Sequence, residues 1–223
     1  MIHSRRAFFR KTLIVGAAAA FSDLTAGLAA SAQTTLSPEA ALQQLIDGNR
    51  RFVEGRMTSF AEDLEMLKAK TAEKQEPFAA VLSCADSRVP VELIFDQSIG
   101  HLFVTRVAGN IATSAIIASL EYGAAVLGTR AIVVLGHANC GAVKASIEAK
   151  AVPGQISALY PYIRPAVDQA GSDLEAAIKA NARIQAALLR QSSPVLAEEI
   201  KQHRLKIVAA YYDLASGSVS LLD

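Results

Sequence analysis

Three short runs of mostly apolar residues constrain the fold of this chain more than any other feature of its sequence. They are Phe78 to Ser83, His101 to Arg106 and Ala131 to Leu135. An apolar run of this length is typical of a strand buried on both faces, and such strands occur in parallel sheets covered by helices. The apolar spacing from about Thr113 to Leu127 predicts a helix between the second and third runs, which indicates right-handed β-α-β crossovers.

Helix and strand patterns before the first of these runs and after the third extend this α/β architecture toward both ends of the chain. Ser37-Pro38-Glu39 has the sequence of a helix N-cap and predicts an N-terminal helical arm, with a second helical stretch over 61–74. Additional helices are predicted at about 140–150, 155–168, 173–190 and 194–203, followed by strands over Leu205 to Tyr212 and Ser218 to Leu222. We therefore expect one α/β domain with a mostly parallel central sheet flanked by helices, an N-terminal helical arm and a C-terminal hairpin strand.

The first 32 residues have the pattern of an export signal. Arg5 and Arg6 precede an apolar stretch, and small residues ending at Ala32 follow it. The arginine pair resembles a twin-arginine signal, which predicts cleavage after about Ala32, a mature domain over 33–223 and a periplasmic or otherwise exported protein. The alternative is an uncleaved membrane anchor, but Asp23 interrupts the apolar run before it reaches the roughly 18 to 20 residues that a spanning helix needs.

The composition argues against nucleic acid as a partner. The chain is 52% hydrophobic and 19% charged, with a formal net charge of only +1. No basic stripe interleaved with aromatic residues is present. We therefore expect a small-molecule substrate and no nucleic-acid partner, with no stable membrane anchor once the signal is removed.

Both cysteines lie in short strings that also contain other chemically active residues. Cys84 follows the first apolar run, whereas His137 and Cys140 follow the third. Two thiolates and one imidazole form a zinc site with an open fourth position, which is the pattern of a catalytic zinc ion. In an exported chain the alternative is one disulfide. Export of a folded protein would allow zinc to be loaded first and to protect both thiols.

Two further residues indicate a catalytic function for this site. Asp86 and Arg88 lie two and four residues after Cys84, so in an extended turn their side chains could reach the same space. The alternative is that Asp86 and Arg88 form an ordinary ion pair on the surface. Since ligands of open α/β sheets collect at the carboxyl ends of the strands, we expect both strings to meet in one crevice.

These two motifs, Cys-x-Asp-x-Arg and His-x-x-Cys, resemble those of the β-class carbonic anhydrases, and the resemblance extends from about Ser37 to the C-terminus. It implies one zinc ion per subunit held by Cys84, His137 and Cys140, and a catalytic dyad of Asp86 and Arg88. It also implies reversible hydration of carbon dioxide to bicarbonate and a proton by a zinc-bound hydroxide, in a homodimer or higher homo-oligomer. The family also uses the aspartate as a fourth zinc ligand in a resting form.

The resemblance also assigns three residues to the substrate pocket. Gln75 matches an amide that can bind substrate, although it could equally be an exposed loop residue. Phe103 and Tyr122 match aromatic residues that line the pocket, often across a dimer interface, but core aromatics would look the same in sequence. One bacterial subclass has a regulatory bicarbonate pocket with a tryptophan at the position of Val81. Because this chain has no tryptophan, we expect a site that stays open near neutral pH.

Two other functions use the same residues. Relatives with the same ligands and dyad hydrolyse carbonyl sulfide or carbon disulfide, and only the shape of the pocket separates the activities. A zinc-stabilised binding module without turnover is the third possibility, although a purely structural site would need neither Asp86 nor Arg88.

Overall fold

A computed structural model describes residues 34–59, 68–69 and 71–222 of the chain. Five strands form one sheet in the spatial order β2-β1-β3-β4-β5. Their bounds are Ala79–Ser83 (β1), Leu102–Arg106 (β2), Ala131–His137 (β3), Lys206–Tyr212 (β4) and Val219–Leu221 (β5). The first four strands are parallel, and β5 pairs with β4 in the antiparallel direction. The predicted mostly parallel sheet with a C-terminal hairpin strand is confirmed.

Helices follow or precede these strands in the alternation that the sequence predicts. Their bounds are Pro38–Val53 (α1), Val91–Ile94 (α2), Ser114–Glu121 (α3), Gly141–Glu148 (α4), Tyr160–Ala170 (α5), Leu174–Ser192 (α6) and Pro194–Lys201 (α7). A 3₁₀ turn over Ile156–Leu159 leads into α5. At the start of α1, the Ser37 hydroxyl accepts a hydrogen bond from the Ala40 amide at 3.1 Å, as the N-cap pattern predicts.

The central strands are buried because helices cover both faces of the sheet. Every residue of β1 and β3 is buried. On one face Val81 and Val133 pack in a cluster with Leu45 of α1. On the other face Leu82 packs in a cluster that includes Leu189 of α6. This two-sided burial explains why the strands are continuous apolar runs instead of alternating ones.

Two elements differ from the sequence prediction at their boundaries. Strand β3 continues past Leu135 to His137, because Gly136 and His137 pair with Tyr211 and Tyr212 of β4. His137 is therefore the last residue of a strand and not the first residue after it. The prediction ended early because it followed the apolar run, whereas backbone pairing continues through a glycine and a histidine.

The helix predicted over Thr113 to Leu127 also changes geometry before it ends. The α-helical part stops at Glu121 and continues as one π-helical turn over Tyr122–Val126. Gly123 lies in this turn, and a β-carbon there would be 3.1 Å from the Phe103 ring. The absent side chain lets β2 and this turn approach closely.

Two predicted segments lie wholly or largely outside the described residues. The signal at 1–32 is outside them, and of the helical stretch at 61–74 only residues 68–69 and 71–74 are described, with 68, 69 and 71 helical. Within the described ranges, no helix combines the length and the apolar character that crossing a membrane would require.

Candidate metal centre

The three predicted metal ligands meet at the carboxyl ends of two paired strands. Cys84 directly follows β1, and His137 is the last residue of β3. Since Ser83 pairs with Leu135 in the parallel ladder, the two strand ends lie side by side. Cys140 is the N-cap residue of α4, which begins only four residues after β3 ends. The crossover geometry therefore delivers three side chains to one crevice.

The arrangement of the ligand atoms fits a zinc ion. The Sγ atoms of Cys84 and Cys140 and a ring nitrogen of His137 all lie within 4.8 Å of one another, and the three residues are buried. The two sulfurs are 4.0 Å apart. A tetrahedral zinc ion with Zn–S bonds of about 2.3 Å would hold its sulfurs roughly 3.8 Å apart. Only a small adjustment separates the observed spacing from that geometry.

His137 provides the strongest sign that this space is built for a cation. Its Nδ1 lies 2.9 Å from the backbone carbonyl of Ala138, which accepts a hydrogen bond from the Nδ1–H tautomer. That contact leaves Nε2 with its lone pair, and Nε2 is buried without a hydrogen-bond partner among the described residues. An unpartnered buried polar atom costs about 1 to 3 kcal/mol. Coordination of a metal ion by Nε2 would remove that cost.

The two thiols do not ionise independently. The hydrogen bond from Cys140, opposed by burial, lowers the pKa of Cys84 to about 4, and the neighbouring His137 ring and the Gly109 amide, 3.3 Å from the sulfur, lower it further. The same contact raises the pKa of Cys140 far above its ordinary value, because burial and the neighbouring Cys84 thiolate disfavour a second negative charge. Since zinc binds thiolates, metal binding displaces the proton that the two sulfurs share.

Asp86 and Arg88 form a bidentate pair beside the ligands. Arg88 donates from Nε to Oδ1 at 2.9 Å and from Nη2 to Oδ2 at 2.8 Å, and its backbone amide donates to Oδ1 at 2.9 Å. These hydrogen bonds hold the pKa of the Asp86 carboxyl well below its usual range. The Asp86 Oδ2 atom is 3.9 Å from His137 Nε2, so an ionised carboxylate lies at the edge of the ligand cluster.

Backbone carbonyls connect the two motifs, which the sequence did not indicate. Arg106, the last residue of β2, donates to the carbonyl of Cys84 at 3.0 Å and to that of Asp86 at 2.6 Å. Arg88 also donates to the carbonyl of Asn139 at 3.3 Å. Asn139 has a left-handed backbone with φ of 54°. The strand-end loops are therefore fixed to each other and to the sheet.

The three predicted pocket residues lie apart from this cluster within one chain. Gln75 is exposed and precedes the amino end of β1, whereas Cys84 follows the carboxyl end of that strand. The rings of Phe103 and Tyr122 contact each other, with centroids 6.3 Å apart. Tyr122 is 46% exposed. Phe103 lies on β2, the edge strand, and is partly buried, so Tyr122 is the exposed member of this aromatic pair.

Comparison with known proteins assigns a family to this fold and site. The carbonic anhydrase family profile matches residues 79–219. "Carbonic anhydrase 2" of Mycobacterium tuberculosis (strain CDC 1551 / Oshkosh) is 35% identical over 201 residues, which cover 84% of this chain and 94% of that protein. The solved "beta-carbonic anhydrase CcaA" superposes with a TM-score of 0.64 at 28% identity, covering 82% of this chain and 95% of that one. A Coccomyxa β-carbonic anhydrase, solved with acetazolamide, gives 0.65 at 26% identity, covering 81% and 86%.

The metal site predicts different outcomes for two histidine substitutions. His137→Ala removes one of three ligands and should weaken zinc binding by at least about 100-fold, as measured by competition with a chromophoric chelator. Zinc should then no longer raise the melting temperature, because the stabilisation depends on the ratio of free zinc to Kd.

His101→Ala is the matched control. His101 is exposed directly before β2, and its ring packs edge-on against Phe78. This variant should bind zinc as the wild type does. Wild-type zinc affinity in His137→Ala would exclude the proposed ligand set.

Proposed function

The chain belongs to the β class of the carbonic anhydrase family, and we propose that Cys84, His137 and Cys140 hold its zinc ion while Asp86 and Arg88 position the reactants. The reaction is the zinc-dependent, reversible hydration of carbon dioxide to bicarbonate and a proton. The observation that carries the residue assignment is the buried, unpartnered Nε2 of His137, which faces two sulfurs and lies 3.9 Å from an ionised carboxylate.

Zinc, when bound, acidifies a water molecule to a pKa of about 7 in favourable sites and so supplies a nucleophile near neutral pH. The two thiolates offset the charge of the ion and keep the site neutral overall. Asp86 would accept a hydrogen bond from that water molecule and so direct its lone pair toward carbon dioxide. Because the hydrogen bonds from Arg88 hold its pKa well below the usual range, Asp86 stays ionised and is available as a hydrogen-bond acceptor.

Arg88 holds Asp86 in the position that this role requires. As a fourth zinc ligand, Asp86 would use Oδ2 in competition with Arg88 Nη2, while the two hydrogen bonds that Oδ1 accepts from Arg88 oppose a movement of the carboxylate toward the metal. The side chain at position 81 is valine, which offers no aromatic wall for a regulatory bicarbonate. We therefore propose that the site stays open near neutral pH.

The dyad predicts a variant that separates metal binding from turnover. Asp86→Ala should retain stoichiometric zinc but lose roughly 100-fold in carbon dioxide hydration, because the water is no longer oriented. Stopped-flow hydration by protein of known zinc content measures this loss, with carbonyl sulfide and carbon disulfide assayed in parallel.

Asp168→Ala is the matched control, since Asp168 forms an exposed ion pair with Arg164 at 3.1 Å. It should retain full turnover. An unchanged rate in Asp86→Ala would refute the orienting role. If the wild type turned over carbonyl sulfide or carbon disulfide faster than carbon dioxide, the protein would be the hydrolase instead. If zinc-loaded wild type turned over none of the three gases, it would be a binding module.

We further propose that residues 1–32 direct the protein through the twin-arginine route to the periplasm. The support is the order of Arg5-Arg6, an apolar stretch and Ala30-Ser31-Ala32. A route that carries folded proteins allows the thiols of Cys84 and Cys140 to bind zinc before they meet an oxidising compartment.

Changing the arginine pair to lysines tests this route without changing the charge. Arg5→Lys with Arg6→Lys should leave the protein in the cytoplasm, as measured by cell fractionation, whereas Arg10→Lys should be exported and processed near Gln33. Wild-type amounts of the double variant in the periplasm would contradict the twin-arginine assignment.

A homodimer or higher homo-oligomer is also proposed. Strand β2 is at the edge of the sheet, and its residue Phe103 contacts the ring of the exposed Tyr122. Tyr122→Asp should lower the mass measured by sedimentation, because a buried charge would disrupt that interface. Tyr162→Asp is the control, because it changes a tyrosine on α5 that is similarly exposed, at 40%. This variant should sediment with the mass of the wild type. A wild-type protein that sediments as a monomer would exclude the oligomer.

A further inference from the structure

A glycine amide contacts one of the two zinc-binding sulfurs. The backbone N–H of Gly109 donates to Cys84 Sγ at 3.3 Å in a buried setting. Hydrogen bonds to a ligand that binds a metal orient that ligand and tune its donation to the ion. The position of Gly109 therefore bears on the electronic character of the site.

Gly109 can occupy this position only because it lacks a side chain. Its φ is +79°, and a β-carbon would lie 2.8 Å from Cδ1 of Ile163. A left-handed backbone of this kind is accessible to glycine at little cost. The left-handed turn at Gly109 thus brings the Gly109 amide to the Cys84 sulfur. Other contacts must keep the turn in this position.

Two buried amide side chains on α6, Asn181 and Gln185, anchor the carbonyl group of Gly109. Asn181 donates from Nδ2 to the Gly109 carbonyl at 2.9 Å. Gln185, one helical turn later, donates to Asn181 Oδ1 at 3.2 Å and accepts from the Ala112 amide at 2.9 Å. Both side chains are 1% exposed.

This network has only one consistent orientation. The Ala112 amide must donate, which fixes Oε1 of Gln185 as the acceptor and its Nε2 as the donor to Asn181. Asn181 is then left with Nδ2 toward the Gly109 carbonyl. Donors therefore run from Ala112 to Gln185, Asn181 and the Gly109 carbonyl, and the N–H on the other side of Gly109 donates to Cys84.

We propose that Asn181 is a positioning residue for the zinc site: by anchoring the Gly109 carbonyl it holds the Gly109 amide on Cys84 Sγ and so sets the donor strength of that thiolate. This inference rests on the metal ligands given under the proposed function. Asn181 touches neither metal nor substrate, and it acts through one glycine.

Cobalt substitution measures the effect directly at the sulfur. In the cobalt-loaded full chain, Asn181→Leu should shift the thiolate-to-cobalt charge-transfer band to lower energy, because a sulfur that loses a hydrogen bond is a stronger electron donor. Its zinc affinity should fall by about 10-fold, as expected when the group that orients a ligand is removed.

Asn49→Leu is the matched control. Asn49 is another buried asparagine, and its side chain bonds the backbone at Ile94, Gly217 and Val219. Its loss should destabilise the fold to a similar degree and leave the cobalt band unshifted. A folded Asn181→Leu with an unshifted band would overturn the proposal, as would an equal shift in Asn49→Leu.

If Asn181→Leu does not fold, a second variant tests whether Asn181 positions the Gly109 amide. Gln185→Met leaves Asn181 in place and removes the side chain that orients it, so the band should shift in the same direction by a smaller amount. An unshifted band in this variant would then overturn the proposal. Failure of the wild type to show any thiolate-to-cobalt band would instead refute the metal ligands themselves.

Discussion

The parallel pairing of β1 with β3 is the interaction on which the rest of this protein depends. It places Ser83 opposite Leu135, so the residues that follow these two strands must share one crevice. Cys84 and His137 reach that crevice without any unusual loop, and Cys140 follows as the next helix begins. A shift in the register of this pair would separate the ligands even if every side chain were unchanged.

Around this ladder, polar groups hold the connecting loops in place. Arg106 fixes the carbonyls of Cys84 and Asp86, and Arg88 connects Asp86 with the carbonyl of Asn139. The Arg106 guanidinium bonds two backbone carbonyls, whereas that of Arg88 bonds a carboxylate and a backbone carbonyl, and both arrangements suit the planar donor geometry of arginine. As a result, Arg88 fixes the direction of the Asp86 carboxylate, while Arg106 at the end of β2 fixes the backbone that carries it.

The sequence was most informative where a pattern of residue types has one common structural cause. Apolar runs predicted the buried strands, and the motifs with Cys84, His137 and Cys140 predicted the cluster of side chains that could hold a metal ion. Asn181 could not be found in this way, because an asparagine inside an amphipathic helix has many uses and its partner Gly109 is 72 residues distant. The end of β3 was misplaced for a related reason, since its last pairings involve backbone atoms that carry no sequence signal.

The inclusion of His137 in β3 has a consequence for how the protein acquires its metal. Its backbone is held in the central ladder opposite Tyr212, and Cys140 is fixed as the cap of a helix. Two of three ligands therefore take their places from the fold itself, in contrast to small zinc domains that remain unfolded without metal. A metal ion that binds here would therefore meet two side chains whose positions are set by strand pairing and by the start of a helix.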